Sequence, residues 1–146
     1  MLSLRSASLT GHFILVLALV GLFIQSSLLA SGYIAITIQL LAVGLMTWAR
    51  MTFGKRSFHA AADPTEGGLI TTGPYAYIRH PIYASTLYFL WAAAFSHLSV
   101  INLILGAIGT GGVSIRIYSE EHLIVQQYPQ YVAYAARTKR VIPFFI

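Results

Sequence analysis

Two long stretches of this chain carry no Asp, Glu, Lys or Arg: Ser6 to Ala49, 44 residues, and His80 to Ile115, 36 residues. A helix needs about 17–25 residues to cross a hydrocarbon core, so each stretch has room for two crossings. Polar turn formers divide them. Ser31-Gly32 splits the first, and Ser96, His97 and Ser99 split the second. The pattern predicts spans over 8–29, 33–52, 81–95 and 100–115. Pro81 suits the first turn of the third span, where its missing N–H has no helical partner. Between spans two and three lies a polar loop, 53–72, with Lys55, Arg56, Asp63, Pro64, Glu66, Gly67 and Gly68. The fourth helix is expected to run on through Arg116, Glu120 and Leu123 and to break at Pro129. A short helix, Gln130 to Thr138, then completes the C-terminal helices of 116–138. The expected fold class is all-α: one multi-pass integral-membrane helical bundle over 1–146, with about four transmembrane helices and a C-terminal interfacial helix.

Composition sharpens this. The chain is 57% hydrophobic and only 9% charged, with a mean hydropathy of +0.72. That is too apolar for an ordinary soluble domain. Arg5 followed by FILVLALVGLFI has the look of a signal peptide, but the apolar run continues and Leu28-Leu29-Ala30 is a poor cleavage site. With no cysteine there is no disulfide framework, thiolate metal site or thiol nucleophile.

The net charge of +5 is no nucleic-acid signal, because the cations cluster beside the apolar spans. They fall at Arg5, in the 50–79 segment (Arg50, Lys55, Arg56, Arg79) and in the C-terminal segment (Arg116, Arg137, Lys139, Arg140). The two tight turns hold none. With four spans, all three charged segments share one side, which the positive-inside rule makes cytoplasmic. Both termini and the 53–72 loop are expected there.

Spans three and four form an antiparallel hairpin, so Arg79-His80 and Glu120-Glu121 return to one membrane face. Arg116 and Glu120, four apart, share a helix face. Ionisable groups at membrane depth are costly, so they pair or line a cavity. The plainer reading is a salt-bridged hairpin with tyrosines as interfacial anchors. The functional reading is a polar pocket at the membrane lip. Arg79 and His80 would hold a negative group, Glu120 and Glu121 a positive one, and Tyr75, Tyr77 and Tyr83 would offer stacking faces. A zwitterionic nucleoside cofactor such as S-adenosylmethionine matches that description.

The ordered motifs carry a resemblance. Leu69-Ile70-Thr71-Thr72-Gly73-Pro74-Tyr75, then Arg79-His80-Pro81-Ile82-Tyr83, then Glu120-Glu121, then Tyr131, Tyr134 and Arg137 with Pro143-Phe144 beyond, resemble the isoprenylcysteine carboxyl methyltransferase family. Its members are integral-membrane methyltransferases akin to the phospholipid methyltransferases. The resemblance covers residues 69–144. It implies S-adenosyl-L-methionine as cofactor, held by Arg79, His80, Pro81, Tyr83, Glu120 and Glu121. From their own chemistry Tyr75, as a stacking face, and Arg116, on the Glu120 face, are expected to join that pocket. Catalytic roles are expected for Arg79, Glu121 and Arg137, with Arg137 near the mouth orienting an anionic acceptor. It further implies a lipophilic or lipid-modified substrate, membrane lipids as surroundings and, since short forms are common in bacteria, an inner-membrane location. Ser85 stands where that family usually has Gly, and Gln127-Tyr128-Pro129 replaces its usual helix break.

Other features carry less. Gly106, Gly109, Gly111 and Gly112 lie in an apolar span with no preceding strand, so they read as close helix packing; Gly111 and Gly112 also fall near Arg116. His12, His59, His97 and His122 lack metal-ligand spacing. Trp48 and Trp91 read as belt residues. Two alternatives stay open: an NADPH-dependent membrane reductase of the related sterol-reductase type, and a non-catalytic membrane partner. The methyl acceptor and the oligomeric state are not legible in the sequence.

Overall fold

Five helices account for the structure, a computed structural model that describes residues 3–54 and 68–142. They are α1 (Leu4–Ile24), α2 (Tyr33–Phe53), α3 (Pro81–Ser96), α4 (Val100–Gln127) and α5 (Tyr131–Arg137), with a 3-10 turn at Gly73–Ala76. Pro143 and most of the 53–72 loop lie outside the described residues. The all-helical membrane bundle expected from the sequence is the fold observed.

Several boundaries differ from the pattern. The first helix covers Leu4–Ile24, not 8–29. Ser3 caps it, its hydroxyl accepting from the Ser6 N–H at 3.2 Å, so the polar start is helical. At the other end Ser26 takes a left-handed φ of 52°. Ser27 N–H then reaches the Leu22 carbonyl and Ser26 N–H the Phe23 carbonyl. This closure ends α1 although Leu28 and Leu29 continue the apolar run. The last helix is likewise shorter than 130–138.

α1, α2 and α4 are long and apolar enough to cross a membrane. α3, at 16 residues, rises about 24 Å at 1.5 Å per residue, short of a full hydrocarbon thickness. Among the described residues three helices meet that measure, and α3 is a shorter fourth member of the bundle, packed between α2 and α4.

Packing divides into two seams. α1 lies against α4, and α2 against α3, with α3 also touching α4. On the first seam a Cβ on Gly11 would stand 2.6 Å from the Gly112 carbonyl oxygen, and one on Gly112 would stand 2.6 Å from that of Gly11. Only glycine lets two backbones meet this closely. Gly106 and Gly109 instead make room for the Trp91 ring and the Leu90 side chain of α3, so these glycines too serve packing. Gly111 faces open space. Leu15, Val113 and Ile117 form one core cluster and Leu22, Leu90 and Ala93 another. α2 leaves Ile34, Leu40, Leu41 and Val43 exposed, an apolar face of the kind lipid covers. The Trp91 indole N–H donates to Thr110 Oγ1 at 3.0 Å and links α3 to α4.

One buried polar residue ties the seams together. Gln39 on α2 accepts from the Ala30 N–H at 2.9 Å and donates to the carbonyls of Leu28 at 3.0 Å and Phe89 at 3.3 Å. It thereby satisfies the α1–α2 turn and holds α2 on α3. Replacing it by Leu leaves three partly buried backbone groups without this partner. The expected loss is roughly 1–2 kcal/mol, since unmade buried hydrogen bonds cost about 1–3 kcal/mol and interhelical bonds in membranes average somewhat less. A thermal melt of Gln39→Leu in detergent measures it.

Candidate active site

The site begins with a constraint on backbone. Pro81 opens α3, and the residue before a proline is pushed out of the helical region. His80 has φ −125° and ψ 60°. The chain between the 3-10 turn and α3 is thus non-helical, and Ile78 offers a bridge edge. The chain after α5 pairs with it in parallel at Ile78 and Lys139. Arg79 N–H donates to the Lys139 carbonyl at 2.6 Å, His80 N–H to the Arg140 carbonyl at 3.0 Å, and Lys139 N–H to the Tyr77 carbonyl at 3.2 Å. The C-terminal segment is thus laid beside the start of α3, where Arg79 and His80 project.

The last turns of α4 bring the carboxylates. Glu121 Oε1 accepts from Arg79 Nε at 3.0 Å and from Tyr131 Oη at 3.3 Å, and lies 3.3 Å from His80 Nε2. Its Oε2 accepts from Arg140 Nε at 3.1 Å and Nη2 at 2.8 Å. Glu120 faces the neighbouring group. Its Oε1 accepts from the Tyr83 hydroxyl and lies 3.5 Å from Arg116 Nη2. Arg116 Nε donates to Tyr83 Oη at 2.8 Å, with its guanidinium over the Tyr83 ring. His80 stands between the two carboxylates, its Nδ1 3.8 Å from Glu120 Oε2, and stacks on Tyr83.

Burial grades the cluster. The His80 and Arg116 side chains are 5% and 6% exposed, Glu121 14% and Glu120 21%, while Arg140 is 51% exposed. Three guanidiniums meet two carboxylates here, which leaves one positive charge over. Arg79 is fixed further: its Nη1 donates to the carbonyls of Ala135, at 2.7 Å, and Thr138. The first is a last-turn acceptor that α5 cannot satisfy itself, and the second belongs to its C-cap residue.

Around this core the C-terminal aromatics act as struts. Tyr134 Oη donates to the Tyr75 carbonyl at 2.7 Å, and Tyr88 Oη to that of Val141 at 2.5 Å. Burial raises the Tyr131 phenol, and the Glu121 charge raises it further. Burial chiefly, then Tyr134 and Glu120, raises Tyr75. The Glu121 contact makes the Arg140 guanidinium hold its proton more firmly. Burial pushes Tyr134 up to about 12 from 10.0, opposed by its Thr138 bond and by Arg79. A folded value above the unfolded one means that this contribution is complete below about pH 10 and is lost as pH rises through about 12. Wild-type protein is expected to lose melting temperature across that window, and Tyr134→Phe to lose less of it, in melts at stepped pH.

Of the residues singled out in the sequence, Arg79, His80, Tyr83, Arg116, Glu120 and Glu121 converge. Tyr75 joins them through its carbonyl and lies against Phe53, and Pro81 is buried beneath His80. Ser85 is buried, and its hydroxyl donates to the Ile82 carbonyl of its own helix at 2.7 Å. Arg137 sits on the exposed side of the last turn of α5. The cation that reaches Glu121 from the tail is Arg140, which the pattern had grouped only with the orienting charges. No spacing signals it, because the parallel pairing at Ile78 and Lys139 is what delivers it. Among the described residues no group of three or more His, Cys, Asp or Glu side chains is placed to hold a metal ion.

The chain is similar to the nickel-cobalt-cadmium resistance protein NccN of Alcaligenes xylosoxydans xylosoxydans, 30% identical over 122 residues. That alignment covers 83% of this chain and 52% of NccN, so the chain spans about half the length of that relative. No solved structure matches. Residues 27–131, from the α1–α2 turn to the start of α5, match the family described as phospholipid methyltransferase. With three helices able to cross a membrane and that match over most of its length, the chain is an integral membrane protein that belongs to the phospholipid methyltransferase family.

Proposed function

We propose that this protein transfers a methyl group from S-adenosyl-L-methionine to a lipophilic acceptor embedded in the membrane, in the manner of the isoprenylcysteine-type enzymes. One observation carries the reading. Residues forty positions apart, Arg79-His80 and Glu120-Glu121, close into a single partly buried cluster at one end of α3 and α4. Their chemistry matches the cofactor's: guanidinium and imidazole for its carboxylate, carboxylates for its ammonium or ribose hydroxyls, and the Tyr83 and Tyr75 rings for its base. The spare positive charge of the cluster suits a ligand carboxylate.

When bound, the cofactor supplies an electrophilic methyl on sulfonium. The protein's task is alignment and water exclusion. An acceptor atom held about 3–3.5 Å from that methyl reacts by in-line displacement. Arg79 is pinned by two carbonyls and keeps its place. Arg140, half exposed, is the partner of Glu121 that can leave when a ligand ammonium arrives. A carboxylate acceptor needs no base. An amine or hydroxyl acceptor gives up a proton, and Glu120 or Glu121 is placed to receive it. Arg137, Lys139 and Arg140, all exposed, draw an anionic acceptor or headgroup to the mouth. With Arg5, Arg50, Arg79 and Arg116 they mark the cytoplasmic face, in a bacterial inner membrane.

The closed ion-pair network favours a second reading, a non-catalytic hairpin pinned by charge. Calorimetric titration with S-adenosylhomocysteine separates the two. Binding at micromolar Kd, lost in His80→Ala and not reproduced by NADPH, is the expected result. Binding of NADPH instead would point to a reductase, and binding of neither to the pinned hairpin.

A further inference from the structure

Arg116 has a surrounding that the family match does not cover. α1 precedes residue 27, where that match begins, yet it forms one wall around the Arg116 side chain. Arg116 Nη1 donates to the Ser8 carbonyl of α1 at 3.4 Å. A Cβ built on Gly11 would stand 3.1 Å from Arg116 Cγ and 2.6 Å from the Gly112 carbonyl oxygen. The missing side chain at Gly11 is therefore the space in which the stem of Arg116 runs, and the Ser8 carbonyl is where one arm of its fork ends. The other donors run to Tyr83 Oη at 2.8 Å and Glu120 Oε1 at 3.5 Å.

We infer that α1 positions the ligand-contacting pair Tyr83 and Glu120 by seating Arg116, with Gly11 as the positioning residue; the consequence for ligand binding rests on the function proposed above. A guanidinium is a rigid planar fork, so fixing one arm fixes the direction of the others. A Cβ on Gly11 makes the stem give by a few tenths of an ångström, which re-aims the fork and loosens one of the two partners that hold the Tyr83 phenol, the other being Glu120. Gly21, on the same α1–α4 seam, provides the contrast. A Cβ there would meet only the end of the Leu105 side chain, at 2.6 Å. That flexible tip can swing aside, and the charged cluster is not involved.

The test reads Tyr83 directly. Full-length protein is labelled with 3-fluorotyrosine in detergent, and the Tyr83 resonance is assigned by its loss in Tyr83→Phe. Gly11→Ala and Arg116→Gln are expected to move that resonance in the same direction, and Gly21→Ala to leave it in place. S-adenosylhomocysteine affinity is expected to fall roughly tenfold in Gly11→Ala, and by less than about twofold when the same change is made in Arg116→Gln, as coupled neighbours behave. A Tyr83 resonance unchanged in Gly11→Ala, or losses that simply multiply in the double variant, overturns the inference. Should Gly11→Ala fail to fold, Arg116→Lys takes its place. It keeps the charge and the helix contact but cannot reach both Tyr83 and Ser8, so wild-type resonance and affinity there overturn the inference equally. If wild-type protein binds no S-adenosylhomocysteine while the fluorine shifts still follow Arg116, the proposed function fails and the seating stands.

Discussion

Glu121→Gln is expected to abolish measurable S-adenosylhomocysteine binding, a loss of at least about 100-fold, and to lower stability by roughly 2–4 kcal/mol. Two guanidiniums and an imidazole converge on this one carboxylate from the residues just before α3 and from the segment after α5. Removing its charge leaves the Arg79 side chain, 10% exposed, without this carboxylate and takes away one of the two carboxylates that flank His80. Glutamine keeps one acceptor, which can still serve Arg79. Its amide nitrogen must then face Arg140, donor against donor. Breaking a buried pair from one side costs about 3–5 kcal/mol, and the figure here is lower because Arg140 is half exposed and pairs at the surface are worth little. Glu121→Asp keeps the charge but shortens the reach, so it separates charge from geometry. Melting in detergent and calorimetry on the two variants give the result. Wild-type affinity in Glu121→Gln would remove this carboxylate from the ligand site.

The two charge-free runs made the helices legible, since membrane crossing explains 44 and 36 residues without Asp, Glu, Lys or Arg. The same runs made the central juxtaposition legible. A hairpin of two spans must return its ends to one face, which places Arg79-His80 near Glu120-Glu121 whatever the packing details. What the pattern could not show was anything set by backbone rather than side-chain class. The first helix stops at Ile24 because Ser26 takes a left-handed turn, while hydropathy runs on to Leu29. Arg140 reaches Glu121 because the tail pairs, backbone to backbone, with the non-helical residues ahead of Pro81. Gln39 reads as one polar residue in an apolar span, and its three backbone partners come from two other segments. The role of α1 was equally hidden, because its contribution is a carbonyl and a missing side chain.

Arg79→Lys should be nearly as damaging as loss of the charge itself, although the charge is kept. Arg79 joins three elements through one planar group. Its Nε donates to Glu121 on α4, and its Nη1 to the carbonyls of Ala135, in the last turn of α5, and Thr138, just beyond it. These acceptors lie along different arms of the fork. A lysine ammonium gathers its donors at one point, so it can sit at the carboxylate or at the carbonyls but not at both. Coulomb attraction favours the carboxylate. The C-terminal carbonyls of α5 then lose the donor that capped them, at about 1–3 kcal/mol for unmade buried hydrogen bonds. The pairing of Lys139 with Tyr77 loosens with them. Amide exchange at Lys139 should therefore quicken in Arg79→Lys, and S-adenosylhomocysteine affinity should fall more than about tenfold, the factor that 1.4 kcal/mol represents. Arg137→Lys, at an exposed position two residues before Lys139, is the matched control and should change neither. Wild-type protection at Lys139 in Arg79→Lys would mean that the tail is held by its own backbone pairing, and that Arg79 acts only as a charge. The two outcomes differ physically: a point charge tolerates lysine, whereas a bracket between helices needs the fork.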